Sequence, residues 1–285
     1  MNMNRKGFKG KAIYNPQGKA GEYSQWACNF YNGCSNDCEY CYCKRGFMSH
    51  VWSNRPTLKK CFKDETDALK VFEKELMENI DALRKSSLFF TFTSDPFLDG
   101  VMSVYVTAIT MALANGVRVQ VLTKMADFVS RLYFMPLLSQ WKDMIAFGFT
   151  LTGHDELEPN AAPNQERIRA MKMLHDSGFR TFASIEPIID FESSKKMIQE
   201  TLDFCDLYKI GLRSGVPDSY YSPSEAESFF TTVTGKAIIW DAKIYWKQSF
   251  SNYAKKHFHV RYNEYESILK KGDMVVGSDY DIFER

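Results

Sequence analysis

Long apolar runs are missing from this chain. No stretch approaches the ~18 apolar residues that a bilayer-crossing helix needs, and the N-terminus has no apolar signal core. Those absences predict a cytoplasmic protein with no membrane partner, in a compartment that keeps thiols reduced. A strong net charge is missing too: 36 Lys and Arg against 35 Asp and Glu leave +1 at pH 7. No whole-molecule field then draws nucleic acid or membrane. Paired metal ligands are missing downstream of Cys43. Cys61 and Cys205 stand alone, and His154 and His175 are far apart. There is no internal repeat, low-complexity run or clear interdomain linker.

What is present is an ordinary globular composition, 45% hydrophobic and 25% charged over 285 residues. That suffices for one large domain with a substantial core, at a length common for a single α/β barrel. Charge is uneven along it. Arg5, Lys6, Lys9, Lys11 and Lys19 crowd the first 20 residues without an acid. A second basic stretch, Lys243, Lys247, Lys255, Lys256 and Arg261, is interleaved with Tyr245, Trp246, Phe250 and Tyr253. Solvated surface is the plain reading of both stretches. A local phosphate-binding face is the sharper reading of the second.

Cysteine is concentrated early. The seven are Cys28, Cys34, Cys38, Cys41, Cys43, Cys61 and Cys205, and "GCSNDCEYCYCKRG" (33–46) holds four of them. An odd count in a reducing compartment argues against a disulfide framework. A zinc site would pair this group with a second Cys/His hairpin. The tight unit is Cys34, Cys38 and Cys41, spaced C-x3-C-x2-C with Tyr40 before the last. Three thiolates on one loop can hold three irons of a [4Fe–4S] cluster, and the fourth iron is then open to a ligand. Zinc and unrelated thiols remain the alternatives at this point.

Periodicity along the rest alternates strand and helix. Residues 1–24 are polar and glycine-rich, a surface segment. Strands are predicted at 25–33, 87–97, 117–124, 144–153, 180–189 and 207–215. Helices are predicted at 65–85, 101–114, 126–140, 164–178 and 192–205. Leu69, Phe72, Leu76, Ile80 and Leu83 make a core-facing stripe on the first helix. About six alternations argue an α/β fold with a parallel sheet closing into a barrel or partial barrel over 25–215. Residues 216–285 read as a less regular extension, with Ser222, Pro223 and Glu225 forming a helix start. Catalytic groups of such barrels gather at the C-terminal strand ends. Here those are Cys34–Cys41, Thr93–Asp95, Thr123–Lys124, Thr150–Thr152, Ser184–Glu186 and Arg213–Ser214.

The C-x3-C-x-aromatic-C motif resembles the signature of the radical S-adenosylmethionine (SAM) superfamily. Within it, "CEYCY", "TSDPF", "VLTK", "TLTGHDELEPNAAPNQERIRAMKMLHDSG" and "SIEPII" are similar to the spore photoproduct lyase-like group, over about residues 25–190. "YWKQS" (245–249) is closer to phage-encoded relatives. The resemblance implies a (β/α)6 partial barrel, a [4Fe–4S] cluster on Cys34, Cys38 and Cys41, and SAM on the open iron. It further implies reductive cleavage to a 5′-deoxyadenosyl radical that abstracts hydrogen, with electrons from a flavodoxin or ferredoxin. A nucleic acid or nucleotide is the substrate it suggests. A peptide or small molecule, or a zinc-stabilised nucleic-acid-binding module without catalysis, are the other readings.

Roles carry over by position. Ser94 and Asp95 face the cofactor's ammonium, or make only a strand-end turn begun by Asp95-Pro96. Lys124 bonds its carboxylate, or is simply solvated. Thr150 and Thr152 share one strand face and reach ribose, or bond backbone. Glu186 is a ribose ligand or a paired core acid. Tyr40 lines the cofactor site, Tyr42 helps return hydrogen, and Cys61, Cys43 or Cys28 donates it to product, with Cys61 put forward. Glu158 and Arg167 pair across a loop and hold the end of the fourth strand, or contact substrate directly. The chain departs from the superfamily in having "TSDPF" where many members carry G-G-E. It also lacks a second cysteine cluster and any recognisable DNA-binding hairpin or helix-turn-helix.

Overall fold

The computed structural model describes residues 7–131, 134–240, 242–258, 274–275 and 282–283. The chain divides into two compact units. One comprises residues up to Ser35 with Cys43–Leu122, the other Asn36–Tyr42 with Thr123 onward. Both are α/β and mostly parallel. Among the described residues, no helix is long and apolar enough to cross a membrane.

In the first unit, β2 (Trp26–Cys28), β5 (Ser87–Phe90) and β6 (Arg118–Thr123) pair in parallel. β5 is buried throughout and short. α1 (Glu65–Glu78), α2 (Ile80–Arg84) and α3 (Met102–Ala114) cover it. α1 begins where Asp64 accepts from the Asp67 amide, and its Phe72 and Leu76 are buried as the stripe predicts. The rings of Phe30, Phe72, Phe90 and Tyr105 interlock, with centroids 5.3–6.2 Å apart. A separate hairpin pairs β3 (Tyr31–Asn32) with β4 (Thr57–Leu58).

The expected surface segment 1–24 is tied in where it is described. β1 (Ile13–Tyr14) pairs antiparallel with β2, and Ala12 and Ile13 are fully buried. The buried Glu75 carboxylate accepts from Lys11, Ala12 and Ile13 N–H at 2.6, 2.9 and 2.7 Å. Three backbone donors explain why an acid sits there.

In the second unit, β7 (Ile145–Thr150), β8 (Arg180–Ile188), β9 (Leu207–Leu212), β10 (Lys243–Trp246) and β11 (Met274–Val275) pair in parallel in that order. The helices are α4 (Phe134–Leu138), α5 (Asn164–Asp176), α6 (Phe191–Gln199), α7 (Pro223–Trp240) and α8 (Gln248–His257). Two expectations change. The single helix at 126–140 becomes a 3-10 turn, then α4, then another 3-10 turn. Pro136 lacks an N–H and suits only a helix's first turn, which fixes α4's start beside it. The 216–285 extension is more regular than predicted, because α7, β10 and α8 continue the strand–helix alternation. Thr231, Thr232, Thr234 and Gly235 give α7 little intrinsic propensity. Packing compensates: Phe230 meets Trp246 at 4.9 Å, and Trp246 meets Phe250 at 4.5 Å.

Candidate active site

The cysteine loop begins in the first unit. Gly33 has φ +88°, and a Cβ there would stand 2.5 Å from Arg55 O and 2.6 Å from Ser53 O. Backbone cannot yield, so only glycine fits. The Cys34 N–H then donates to Ser53 O at 3.0 Å, leaving the residue half-buried on the hairpin. Cys43 is buried, its Sγ 3.7 Å from Phe92 O. Cys61 is exposed, in the turn after β4.

The strand-end segment after β5 lies in the same unit. Thr93 Oγ1 donates to Tyr31 O at 2.6 Å, and Thr91 Oγ1 to Ser94 O at 2.7 Å. Asp95 is buried and accepts from Phe97 N–H at 3.1 Å, the turn that Asp-Pro initiates. Ser94 Oγ is buried with no hydrogen-bond partner among the described residues. A buried hydroxyl without a partner loses about 1–3 kcal/mol, so a polar ligand fits it.

Residues 36–42 belong to the second unit. Asp37 takes a left-handed turn (φ +50°), and Cys41 N–H closes onto Cys38 O at 3.2 Å. The segment docks on the β7–α5 loop. Glu39 N–H donates to Leu157 O at 2.9 Å, Asn160 N–H to Asn36 O at 3.4 Å, and the Tyr40 hydroxyl to Glu158. Burial pushes the Cys38 thiol up from its ordinary value, while the Lys124 charge pulls the other way. Burial beside Glu158 also holds the Tyr40 hydroxyl well above its ordinary value, so it stays a donor. Tyr42 is 54% exposed. All seven cysteines are free thiols. Among the described residues, no three His, Cys, Asp or Glu side chains gather around one metal position.

The remaining candidates of this unit lie at strand ends. Lys124 Nζ stands 5.5 Å over the Tyr40 ring, and its carbonyl accepts from Ala162 N–H at 3.0 Å. Thr150 and Thr152 are buried. Thr152 Oγ1 accepts from His154 N–H at 3.2 Å, which is the backbone-bonded alternative. Arg167 Nη1 donates to Thr150 O at 2.8 Å and Nη2 pairs with Glu158, as the sequence suggested.

Glu186 pairs with Lys247, which the sequence had placed in a solvated basic stretch. Lys247 is 1% exposed, and Tyr245, Trp246, Phe250 and Tyr253 are all buried core rings. They are therefore packing groups and no stacking platform. Lys255 and Lys256 are exposed, and Arg261 lies outside the described residues, as do Arg5 and Lys6. The missed signal was position, since Lys247 ends an apolar strand as Lys124 does. Gly211 makes room for the pair. A Cβ there would meet Glu186 Oε1 at 2.8 Å and Lys247 Cδ at 3.0 Å. Lys209, also missed, is buried near the rings of Phe182 and Tyr245 (5.8 and 6.0 Å).

This arrangement has relatives. The family model of the radical SAM superfamily matches residues 28–205. The uncharacterized protein MJ0683 of Methanocaldococcus jannaschii is 26% identical over 211 residues, covering 70% of this chain and 74% of that protein. Among solved structures, a spore photoproduct lyase complexed with dinucleoside spore photoproduct superposes with TM-score 0.54 at 15% identity, over 70% of this chain and 59% of that one. SuiB of Streptococcus suis bound to its precursor peptide SuiA gives 0.52 at 13%, over 77% and 48%. This chain thus spans only half to three-fifths of those two structures. Likeness at such identity is one of fold, and it supplies the partial-barrel architecture. The family match covers well over half of the chain, which belongs to the radical SAM superfamily.

Proposed function

We propose that the protein is a radical SAM enzyme whose Cys34, Cys38 and Cys41 thiolates hold a [4Fe–4S] cluster with SAM at the open iron. The observation that carries this reading is the reduced, motif-spaced cysteine loop in a chain of this superfamily. The donor chemistry fits, since thiolates are the cluster's usual ligands. When bound, the cluster and SAM supply hydrogen-abstraction chemistry. The chain's own groups bind and orient. Ser94 and Asp95 accept from the cofactor's ammonium, Lys124 offers a charge to its carboxylate, and Thr150, Thr152, Glu186 and Tyr40 line the remainder. Tyr42 is the candidate for returning hydrogen to the cofactor and Cys61 for donating it to product, and both are exposed. Residues 25–215 hold the catalytic barrel, and the described part of the 216–285 extension continues its sheet through β10.

A nucleic acid or nucleotide is the substrate class we favour, supported by the dinucleoside-bound neighbour. The peptide-bound neighbour supports a peptide as the second reading. Anaerobic reconstitution decides the chemistry. Brown protein with visible absorbance is expected, forming 5′-deoxyadenosine on reduction by dithionite or flavodoxin. Cys38→Ala should lose the iron and Cys205→Ala keep it. Colourless protein carrying zinc would sink the proposal. Deuterium transfer from labelled DNA, RNA, nucleotides or peptides into deoxyadenosine then separates the two substrate classes.

A further inference from the structure

We infer that Glu158, Arg167 and Tyr40 are positioning residues, a buried clamp that sets where the Cys38 and Cys41 thiols stand. Its purpose rests on the proposed cluster ligation. The clamp itself concerns only the two sulfurs.

Arg167, on α5, is fully buried. Its Nε donates to Ala162 O at 2.6 Å, its Nη1 to Thr150 O at 2.8 Å and its Nη2 to Glu158 Oε2 at 2.5 Å. The planar fork therefore joins the end of β7, the loop before α5 and Glu158 in one frame. Glu158 gives its second oxygen to the Tyr40 hydroxyl. Both carboxylate oxygens and all three guanidinium nitrogens thus have protein partners, and the pair is fully buried. That excludes the direct substrate contact considered for them and assigns them to shape.

Tyr40 is the only residue between Cys38 and Cys41 whose side chain reaches into this frame by a described bond, since Glu39 joins through its backbone. The Cys41–Cys38 backbone bond makes the two thiols' carriers one turn. Lys124 adds a second brace, through the Ala162 amide and over the Tyr40 ring. A buried ion pair gives little net stability relative to apolar packing of the same volume. What it gives here is a defined seat for a loop segment without regular secondary structure, because each partner has a fixed bonding direction.

Alkylation of individual cysteines by iodoacetamide, read by mass spectrometry on the full-length metal-free protein, tests the clamp. Tyr40→Phe removes one donor, and Glu158→Gln keeps the shape while removing the charge. In both, Cys38 labelling should rise about tenfold, the effect of an opening favoured by one ordinary hydrogen bond. The Glu39 amide should lose hydrogen-exchange protection in step. Cys205, buried with its Sγ 3.3 Å from Leu207 O, should label at the unchanged rate. Cys38 reacting as in the wild type in both variants, or Cys205 accelerating in parallel, would overturn the clamp. Iron uptake is measured separately. A wild type that takes up no iron while the labelling contrast holds removes the cluster reading and leaves the clamp. Iron uptake without the contrast removes the clamp alone.

Discussion

Glu158–Arg167 and Glu186–Lys247 are both acid–base pairs on the β7–β10 unit, yet they are built for different ends. In the first, both side chains are 0% exposed, and the guanidinium also serves two backbone carbonyls. In the second, a flexible point charge meets a carboxylate that keeps 17% of its surface exposed, and Gly211 keeps the space beside them clear. An arginine fork with fixed directions suits a frame. A lysine that can swing on its stem suits a site that must exchange partners. The first pair is closed to solvent on both sides, whereas the second leaves its carboxylate partly open to it.

The comparison breaks most visibly in stability. Arg167→Met leaves a buried carboxylate uncompensated, and we expect a loss of about 3–5 kcal/mol in urea unfolding. Arg167→Met with Glu158→Leu should recover a large share of it, since replacing a buried pair by apolar groups is often neutral. A single variant as stable as wild type would show that the frame carries no strain-bearing charge. Next comes Gly33→Ala. Its positive φ and two backbone oxygens within 2.6 Å predict a loss of about 1–3 kcal/mol, with lowered iron uptake at temperatures where the protein stays folded.

These contrasts also mark what the sequence could say. The cysteine spacing, the strand ends and even the Glu158–Arg167 pairing were legible, because they depend on short-range spacing and on the rule that buried charges pair. Lys247 was not. "KIYWKQ" alternates aromatic and basic residues equally well as an edge stripe or as a buried strand, and only its pairing with β9 decides. The N-terminal segment was misjudged for a similar reason. Its amides find their acceptor in Glu75, more than 60 residues away. Helix α7 was seen to start correctly at Ser222–Glu225. Its length was hidden, because its threonines argue against a helix that aromatic packing nonetheless stabilises.

The second pair is broken in binding more than in stability. Gly211→Ala places a methyl against the Glu186 carboxylate and the Lys247 stem, and the partly exposed carboxylate end can give way, so unfolding should change by less than about 1 kcal/mol. The Glu186 carboxylate is displaced, however. SAM affinity, read by equilibrium dialysis on reconstituted protein, should weaken about tenfold, equivalent to ~1.4 kcal/mol. If affinity is untouched while Glu186→Gln also binds normally, the pair is structural and resembles the first after all.

The smallest effect concerns how the clamp's loop is fastened at its other end. His154 Nδ1 lies 2.6 Å from Glu156 Oε1, and its Nε2 lies 2.5 Å from Asp190 Oδ2, the residue that caps α6. Burial lowers the proton affinity of His154, but the hydrogen bonds to both carboxylates outweigh it and raise its pKa. Burial raises the Asp190 carboxyl, and the Ser193 and His154 hydrogen bonds outweigh that and bring it down. A raised histidine stabilises the fold fully below its unfolded value of ~6.5, and that contribution fades as pH rises through the folded value. A lowered aspartate stabilises above its unfolded value of ~3.9, and fades as pH falls through the folded one. The two overlap in mildly acidic solution. There His154→Asn should lower Tm by about 2 °C, because Glu156 is largely exposed and screened. In alkaline buffer the variant and the wild type should melt together. An equal deficit at about pH 5.5 and about pH 9 would mean that the ring acts by packing alone, and that the charge on the loop's outer end does nothing for it.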